Sequence, residues 1–312
     1  MVLAAGLGTR MLPLTSLRPK CLMPVMNRPL LGLWLERLAG LGVERAVVNT
    51  HHLADRVREF LAGHGPSVLE VVLSHEPVIL GTGGGLVAAR PLLDQDPFLL
   101  VNADAVCAAD LWPLLKALKN PGVLAALGLA DAPRFNTVAV GEGGAVLGFA
   151  GDDGLPGSVR WRTYAGLAAL RPQLLDFLPA HGYSTLVEGL KAALAAGRAV
   201  AGVELEGFWD DLGTPRAFLD LHRALVQSPP EGLRHLAPAS PLVLAPGAAV
   251  EPGARVEGFA VLGEDAVVEP GALVADSVLL PGARALAGAR VRGAILGDGF
   301  EARGEIVGGA HA

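Results

Sequence analysis

The residues best placed for chemistry lie near the start of the chain, where two glycines and two cations are grouped closely. A short apolar stretch leads into Gly6-Leu7-Gly8-Thr9-Arg10, and Lys20 follows ten residues later. Glycine has no Cβ, so such a loop can bring several backbone N–H groups close to a phosphate, while Arg10 and Lys20 supply positive charge. A glycine-rich turn beside two surface cations is the structural alternative. The nicotinamide-type G-x-G-x-x-G is excluded because Met11 stands at the third glycine, and the G-K-[ST] of a P-loop is absent.

A longer pattern around this loop resembles the signature of the sugar-1-phosphate nucleotidyltransferases. The loop continues as G-L-G-T-R-M-L-P-L-T over residues 6–15, and P-K-C-L-M-P follows over residues 19–24. The resemblance extends to about Leu225 and implies transfer of a nucleotidyl group from an NTP to a sugar 1-phosphate, with release of pyrophosphate. It leaves open whether the natural start lies upstream of Met1, because the family usually has a few more residues before the first strand.

The resemblance also implies roles for the residues of this loop. Arg10 and the amides of residues 6–9 would hold the leaving pyrophosphate, and Lys20 would hold the phosphates near the reacting centre. The implied nucleotide-binding residues in this part of the chain are Leu3, Ala4, Gly6, Gly8 and Thr9. Such a reaction needs no protein nucleophile, because the sugar-phosphate oxygen attacks the α-phosphorus in line.

Strands and helices alternate through the first half of the chain and must position this loop. Apolar residues at helical spacing predict a helix after Asn27, and strand-like runs at 43–49 and 68–73 flank a second amphipathic helix near Leu53. The order β-α-β-α-β predicts the α/β class with a Rossmann-like, mostly parallel sheet. The adjacent His51 and His52 point to different faces, so helix capping and packing are favoured over a metal site.

A second glycine-rich stretch, Gly81-Thr82-Gly83-Gly84-Gly85, lies between an apolar run and a predicted helix. So many glycines carry a cost in backbone entropy that a simple turn does not need, which favours close approach of a flat or charged ligand over a flexible connector. In the family that the chain resembles, the equivalent loop contacts the base and ribose, which implies that role for Thr82, Gly83 and Gly84. The loop resembles the uridylyl- and guanylyltransferase branches, so the expected donor is UTP or GTP.

Two aspartates are the candidate metal ligands. The apolar strand Phe98–Val101 ends in Asn102-Ala103-Asp104, and ligands of open α/β sheets bind beyond the carboxyl ends of such strands. Asp110 is better placed to cap the next helix, which leaves Asp104 for another role. The resemblance implies that Asp104 holds Mg²⁺. Residues 209–215, W-D-D-L-G-T-P, resemble the family's W-x-D-x-G-T-P, which implies Asp211 as the second ligand and Asp210 as its neighbour.

Short strands with glycine turns between residues 122 and 170 resemble the sugar-binding half of the family fold. The implied sugar contacts are Thr163, Gly166, Glu188 and Trp209. We favour a second interpretation of Glu188, as part of a capping box begun by Ser184 or Thr185. The E-K-P that many members carry is missing at residues 149–153, and with it a lysine that commonly binds the sugar phosphate. Mannose, glucose, heptose and N-acetylmuramic acid phosphates all remain open as substrates.

The last part of the chain has a six-residue period. Apolar residues recur at this spacing at Leu244, Val250, Val256, Leu262, Val268, Val274, Leu280 and Leu286. The period predicts a left-handed parallel β-helix, with a slip of register near residues 280–282. The predicted domains are a nucleotidyltransferase domain over 1–227, a linker over 228–242 and the β-helix over 243–312. No histidine lies between residues 236 and 310 to serve an acyltransferase, so we assign the β-helix to homo-oligomerisation or to packing on the first domain.

Composition limits the classes of partner. A net charge of −6 and a pI of about 5.8 argue against nucleic acid or an anionic membrane, and suit a small phosphorylated substrate held by a few cations. Two cysteines make no disulfide framework and no apolar run is long enough to span a membrane, so we expect a cytoplasmic protein. The alternatives are a catalytically silent paralogue that binds a nucleotide sugar, which the intact Arg10, Lys20, Asp104 and Asp211 disfavour, and a bifunctional enzyme with an acyltransferase tail.

Overall fold

The computed structural model describes residues 1–64, 68–93, 96–133, 135 and 137–312. Strands and helices alternate in the first part of the chain, as the periodicity predicts, four strands follow one another between residues 123 and 170, and short strands follow from residue 242 onward. The helices are α1 (Leu30–Gly40), α2 (Ala54–His64), α3 (Gly81–Ala88), α4 (Trp112–Ala117), α5 (Leu186–Ala195) and α6 (Pro215–Gln227). The strands are β1 (Val2–Leu3), β2 (Pro24–Val25), β3 (Arg28–Pro29), β4 (Arg45–Thr50), β5 (Glu70–His75), β6 (Phe98–Asn102), β7 (Ala105–Cys107), β8 (Val123–Ala130), β9 (Val138–Val140), β10 (Val146–Phe149), β11 (Arg160–Leu170), β12 (Ala199–Glu204), β13 (Trp209–Asp211), β14 (Leu242–Leu244), β15 (Ala249–Val250), β16 (Arg255–Leu262), β17 (Val267–Val268), β18 (Leu273–Leu279), β19 (Arg284–Ala285), β20 (Arg290–Arg292), β21 (Ile295–Leu296), β22 (Glu301–Ala302), β23 (Glu305–Val307) and β24 (Ala310–His311).

The chain divides into two compact units that do not follow the sequence in two simple blocks. The first unit contains Met1–Gly6, Trp34–Ala54 and Arg58–Asp210. The second contains Leu7–Leu33, Asp55–Val57 and Asp211–Ala312. From Leu7 onward, the glycine loop after β1 therefore belongs to the same compact unit as the last hundred residues. The predicted domain limits at 227 and 243 stay a prediction, because compactness is a different criterion from independent folding.

The first unit is built on a nine-stranded sheet. Its strands β6-β1-β4-β5 are parallel neighbours, with Val2 paired to both Val48 and Val101. β11 continues the sheet beyond β6 in the antiparallel direction and also pairs with β8 and β9. Buried apolar residues of these strands, α3 and α5 form one core. The α/β class with a Rossmann-like, mostly parallel sheet is thus confirmed, and the carboxyl ends of the parallel strands form the edge where polar loops can gather.

In the second unit, the residues from β14 onward form a parallel β-helix, as the six-residue period predicts. β14 pairs with β16 at a spacing of eighteen residues, β17 with β19 at seventeen, and β20 with β23 at fifteen. Small and branched apolar side chains fill its interior. Each coil is therefore three short strands long, and the later coils are shorter than the first.

The register of the β-helix slips earlier than the sequence predicts. The pairing of β16 with β18 shortens by one residue at Asp276, whose φ is +47°, a few residues before the predicted slip at 280–282. As a result, Ala285 is the buried partner of Val268. Leu286, which strict six-residue spacing places inside, is only half-buried.

A tight hairpin, β2–β3, connects the glycine loop to α1. Its turn residues Met26 and Asn27 have left-handed backbone conformations, with φ of +48° and +62°. The Met26 N–H donates to His222 Nε2 of α6 at 3.3 Å, so Nδ1 carries the ring proton and donates to the Phe218 carbonyl at 2.8 Å. His222 is fully buried, and burial lowers its pKa to about 4. The hairpin thus rests on a neutral histidine.

We predict that His222 makes the protein less stable in acid. An unfolded histidine binds its proton near pH 6.5, whereas the buried ring does so only near pH 4, so acid favours the unfolded state within that interval. Between pH 7 and pH 4 the free energy of unfolding should fall less for His222→Gln than for the wild type, although the variant starts less stable. Urea unfolding at a series of pH values measures both effects. An equally steep fall in His222→Gln, or a flattened one in a control variant of the exposed His181, would contradict the assignment.

Candidate functional site

Three of the predicted catalytic residues meet in the second compact unit. Arg10 lies in a short 3-10 turn, Lys20 begins another, and Asp211 ends β13. Two guanidinium nitrogens of Arg10 donate to Asp211 Oδ2, each at 3.2 Å, and Lys20 Nζ lies 3.7 Å from Asp211 Oδ1. One carboxylate thus serves two cations, and the cluster keeps a net positive charge that suits a bound phosphate.

Burial differs between the two cations. Only 12% of the Lys20 side chain is exposed, and 19% of the Asp211 side chain, but 57% of the Arg10 side chain is exposed. Lys20 is therefore a fixed charge that water screens weakly. Arg10 extends into solvent, where its planar fork can adjust to the oxygens of a phosphate.

Two glycines bring the backbone close to these cations. Gly8 has a φ of +66°, and a Cβ there would lie 2.9 Å from Thr15 Cγ2 and 3.2 Å from Lys20 Cβ. A Cβ on Gly213 would overlap the guanidinium of Arg10. A larger residue at Gly8 would have a strained backbone and would press on Thr15 and on the Lys20 Cβ, whereas one at Gly213 would require the Arg10 guanidinium to move. Around Gly6, in contrast, a Cβ would have no atom within 4 Å.

Asp104 lies in the first unit, where the sequence predicts it, directly after β6. β6 pairs in parallel with β1, and Leu3 is opposite Asn102, so Ala4 and Asp104 follow neighbouring strand ends. The Asp104 side chain is half-buried. The predicted nucleotide-binding residues Leu3 and Ala4 and the predicted metal ligand Asp104 thus share one edge of the sheet, while their roles stay predictions.

The predicted sugar contacts on β11 and β13 are engaged within the protein. Gly166 has a φ of +71°, and a Cβ there would lie 2.7 to 2.9 Å from atoms of the Asn102 side chain. The Thr163 hydroxyl donates to a backbone carbonyl at 2.7 Å, and Trp209 Nε1 donates to another at 2.8 Å. These bonds fix the shape of β11 beside β6. Contact of Thr163, Gly166 and Trp209 with a sugar stays a prediction.

The second glycine-rich stretch is the first turn of a helix, since α3 begins at Gly81. Its glycines let α3 pack on the segment that leads into α5. The Gly83 N–H donates to the Ser184 carbonyl at 2.9 Å, and Thr82 Oγ1 accepts a backbone N–H of α5 at 2.8 Å. A Cβ on Gly83 or Gly84 would overlap that segment. Packing of the chain on itself therefore explains the missing side chains, and contact of Thr82, Gly83 and Gly84 with a base stays a prediction.

Glu188 forms the capping box that the sequence favours. Thr185 Oγ1 accepts the Glu188 N–H at 3.3 Å, and Glu188 Oε2 accepts the Thr185 N–H at 3.1 Å. The capping interpretation is confirmed, with Thr185 and not Ser184 as the cap. The box sets where α5 begins and so fixes the segment on which α3 packs. A sugar contact by Glu188 stays a prediction.

A buried polar network, which the sequence pattern did not reveal, supports the end of β1. Glu76 is 1% exposed, and its Oε1 accepts from Asn49 Nδ2 at 2.7 Å while its Oε2 accepts the Leu80 N–H at 3.0 Å. Asn49 Oδ1 in turn accepts the Ala4 N–H at 2.7 Å. The network links the end of β1 to the residue before α3. The sequence carries one local signal of this network: the polar Asn49 stands near the end of β4, and the polar Glu76 directly follows β5.

Among the described residues, no group of three or more His, Cys, Asp or Glu side chains is arranged to hold a metal ion. His51 Nδ1 lies 2.8 Å from the Glu76 carbonyl, which fits the predicted packing role, and Cys21 and Cys107 are buried without a disulfide. A metal ion here would need oxygens from a substrate or from water besides the carboxylates, as Mg²⁺ commonly has with nucleotides.

In the described part of the chain, no helix is both long enough and apolar enough to cross a membrane.

Comparison with known proteins relates both the loop and the fold to one family. The profile described as "Nucleotidyl transferase" matches residues 1–228. N-acetylmuramate alpha-1-phosphate uridylyltransferase from Caulobacter vibrioides is 34% identical over 236 residues, covering 73% of this chain and 97% of that protein. Mannose-1-phosphate guanylyltransferase from Mycobacterium tuberculosis is 31% identical over 285 residues, covering 87% of this chain and 76% of that protein.

A solved structure shares the fold. HddC from Yersinia pseudotuberculosis has a TM-score of 0.60 at 20% identity, covering 71% of this chain and 96% of its own. A second structure of HddC, complexed with GMP-PN, matches with the same TM-score over 70% of this chain.

We predict that Glu76→Gln destabilises the protein through the network at the end of β1. Both carboxylate oxygens accept N–H groups in the interior, and an amide has only one acceptor oxygen, so one donor would face another. The free energy of unfolding should fall by about 1–3 kcal/mol. The matched control is Glu70→Gln at the start of β5, the strand that Glu76 follows, where the exposed pair with Arg45 is worth little. Urea unfolding measures the free energy of unfolding of both variants. Equal losses in the two variants would contradict a role for the network.

Proposed function

Because the chain belongs to the nucleotidyl transferase family, we propose that it condenses a nucleoside triphosphate with a sugar 1-phosphate to give a nucleotide sugar and pyrophosphate. The observation that carries the proposal is the cluster of Arg10 and Lys20 around the Asp211 carboxylate. Asp211 comes from a part of the sequence about 190 residues away from the two cations, and each of the three residues lies in a motif that resembles the family. A chance surface ion pair would not leave a lysine only 12% exposed.

In this reaction the protein acts by position and charge. An oxygen of the sugar phosphate attacks the α-phosphorus, a new P–O bond forms, and the bond to the pyrophosphate breaks. The exposed Arg10 guanidinium would neutralise the charge that gathers on the leaving pyrophosphate. Lys20, which is enclosed and fixed by Asp211, would stabilise charge near the reacting phosphorus. No side chain has to form a covalent intermediate.

Members of the family generally use a divalent metal ion. We propose Mg²⁺, with Asp104 and Asp211 as carboxylate ligands on the basis of their sequence motifs. Their chemistry fits, because Mg²⁺ takes oxygen ligands and is usually held by one or two carboxylates together with substrate phosphates and water. When bound, the ion would neutralise charge on the phosphate oxygens. The protein's part is to hold each carboxylate in place, which the Arg10 and Lys20 pairs do for Asp211.

UTP or GTP is the donor that we propose. The two curated relatives described above are named as a uridylyltransferase and a guanylyltransferase, and the HddC structure was obtained with a guanine nucleotide analogue. The same names make N-acetylmuramic acid 1-phosphate and mannose 1-phosphate the first sugars to examine. Homo-oligomerisation through the β-helix and a cytoplasmic location stay predictions.

A panel of substrates tests the proposed function. Pyrophosphate release is measured for UTP, GTP, ATP and dTTP, each combined with several sugar 1-phosphates and Mg²⁺. We expect turnover with UTP or GTP and with at least one sugar phosphate. Turnover confined to dTTP would overturn the base assignment. Binding of a nucleotide sugar without turnover on any combination would favour the silent paralogue.

Asp211→Asn should lower kcat by at least roughly 100-fold. The change removes the negative charge that pairs with both cations, and it also removes one of the two proposed carboxylate ligands of the metal ion. Asp210→Asn is the matched control, since it makes the same change one residue earlier on β13, and it should do much less. Asp104→Asn combined with Asp211→Asn should be little worse than either alone, because residues that act as one unit are not additive. Steady-state kinetics on variants with wild-type unfolding temperatures make the comparison. A sensitive Asp210 with a tolerant Asp211 would mean that the motif is aligned wrongly by one residue.

A further inference from the structure

The signature segment, residues 7–33, carries Arg10 and Lys20 and belongs to the same compact unit as the β-helix. Its own secondary structure is weak. Around Lys20 it consists of a single 3-10 turn, in which Leu22 N–H donates to the Pro19 carbonyl at 2.8 Å and Met23 N–H donates to the Lys20 carbonyl at 3.0 Å. One such turn does not hold its shape in water by itself. The position of Lys20 must therefore depend on contacts with the rest of the unit.

One of those contacts is an ion pair with the β-helix. Arg18 Nε donates to Asp298 Oδ2 at 3.1 Å, and a terminal guanidinium nitrogen donates to Asp298 Oδ1, so the pair is bidentate. The side chains are 21% and 20% exposed, so the pair is partly buried. Arg18 is only two residues before Lys20, with Pro19 between them. A bidentate pair fixes orientation as well as distance, and the rigid Pro19 passes that constraint to Lys20.

Asp298 is itself held rigidly. It lies in the turn between β21 and β22, and the next residue, Gly299, donates its N–H to the Pro281 carbonyl of the preceding coil at 2.9 Å. A second contact comes from the hairpin, where Asn27 Nδ2 donates to the Leu262 carbonyl of β16 at 2.9 Å. The β-helix thus contacts the signature segment on both sides of Lys20, at Arg18 and at Asn27.

We infer that Asp298 is a positioning residue for Lys20, acting through Arg18, and that the β-helix completes the catalytic loop in addition to any part in oligomerisation. This inference rests on the proposed role of Lys20 in nucleotidyl transfer. Asp298 touches no reacting atom. Its effect is to set where the Lys20 ammonium stands relative to Asp211.

The test is Asp298→Asn in the full-length protein, with Glu269→Gln as the matched control. Glu269 is also a β-helix carboxylate, is 19% exposed, and pairs with Arg284 within the β-helix. We expect Asp298→Asn to lower kcat by roughly 10- to 100-fold, since small displacements of a catalytic group cost that much, while the control stays near wild type. Glu269→Gln removes the charge that pairs with Arg284 and leaves the Arg18–Asp298 pair intact. Equal losses of kcat in the two variants would overturn the inference, because general weakening of the β-helix would then explain them.

Two further measurements separate positioning from stability and from the proposed function. Hydrogen exchange should show faster exchange of the Leu22 and Met23 amides in Asp298→Asn than in Glu269→Gln, and unchanged exchange would overturn the inference whatever the kinetics. The swapped variant, Arg18→Asp with Asp298→Arg, should recover part of the kcat that either single change loses. Lys20→Met is the reference for the function. Wild-type kcat in Lys20→Met would reject the role of Lys20 in catalysis, while the exchange data would still decide whether Asp298 positions the loop.

Discussion

The Asp211 carboxylate is the interaction on which the rest of the site depends. Arg10 and Lys20 repel one another, and a carboxylate beside both of them lowers that repulsion. The Asp211 carboxylate lies near both charges at once, at 3.2 Å from the Arg10 guanidinium nitrogens and 3.7 Å from Lys20 Nζ. A carboxylate that holds cations in readiness for a polyanion is well suited to phosphoryl chemistry.

The β-helix supports the segment that carries Arg10 and Lys20. The cations lie on a segment made of short 3-10 turns and one hairpin, which have little stability of their own. Asp298, the Leu262 carbonyl and His222 of α6 hold that segment at three separate points. A stack of paired parallel strands is a rigid support, because each coil is bonded to the next along its whole length. The tail and the glycine loop are therefore parts of one compact structure.

The glycines show that one residue type can serve different needs in neighbouring places. Gly8 combines a left-handed backbone with close approach to Thr15 and to the Lys20 Cβ, so it shapes the loop that carries the cations. Gly83 and Gly84 are instead needed because α3 packs tightly on the segment before α5. The run of glycines at the second stretch carries a cost in backbone entropy. Packing of α3 on the segment before α5 offsets that cost. The amino-acid composition of a glycine-rich stretch is the same whether the chain or a ligand packs against it.

The sequence by itself determined the fold class, the repeat of the β-helix, the cap at Glu188 and the identity of Arg10, Lys20, Asp104 and Asp211 as candidates. Each of these leaves a local trace, as a period of six, an alternation of strand and helix, a box of two residues or a long motif. Only the tertiary structure decided that Asp211 serves both cations, that Glu76 and Asn49 hold the end of β1, that the register slips at Asp276, and that Arg18 meets Asp298. These contacts join single residues far apart in the chain, and a single polar residue has no period or spacing that names its partner. Burial and pairing arise only when the chain has folded, so neither could be found in the order of residues alone.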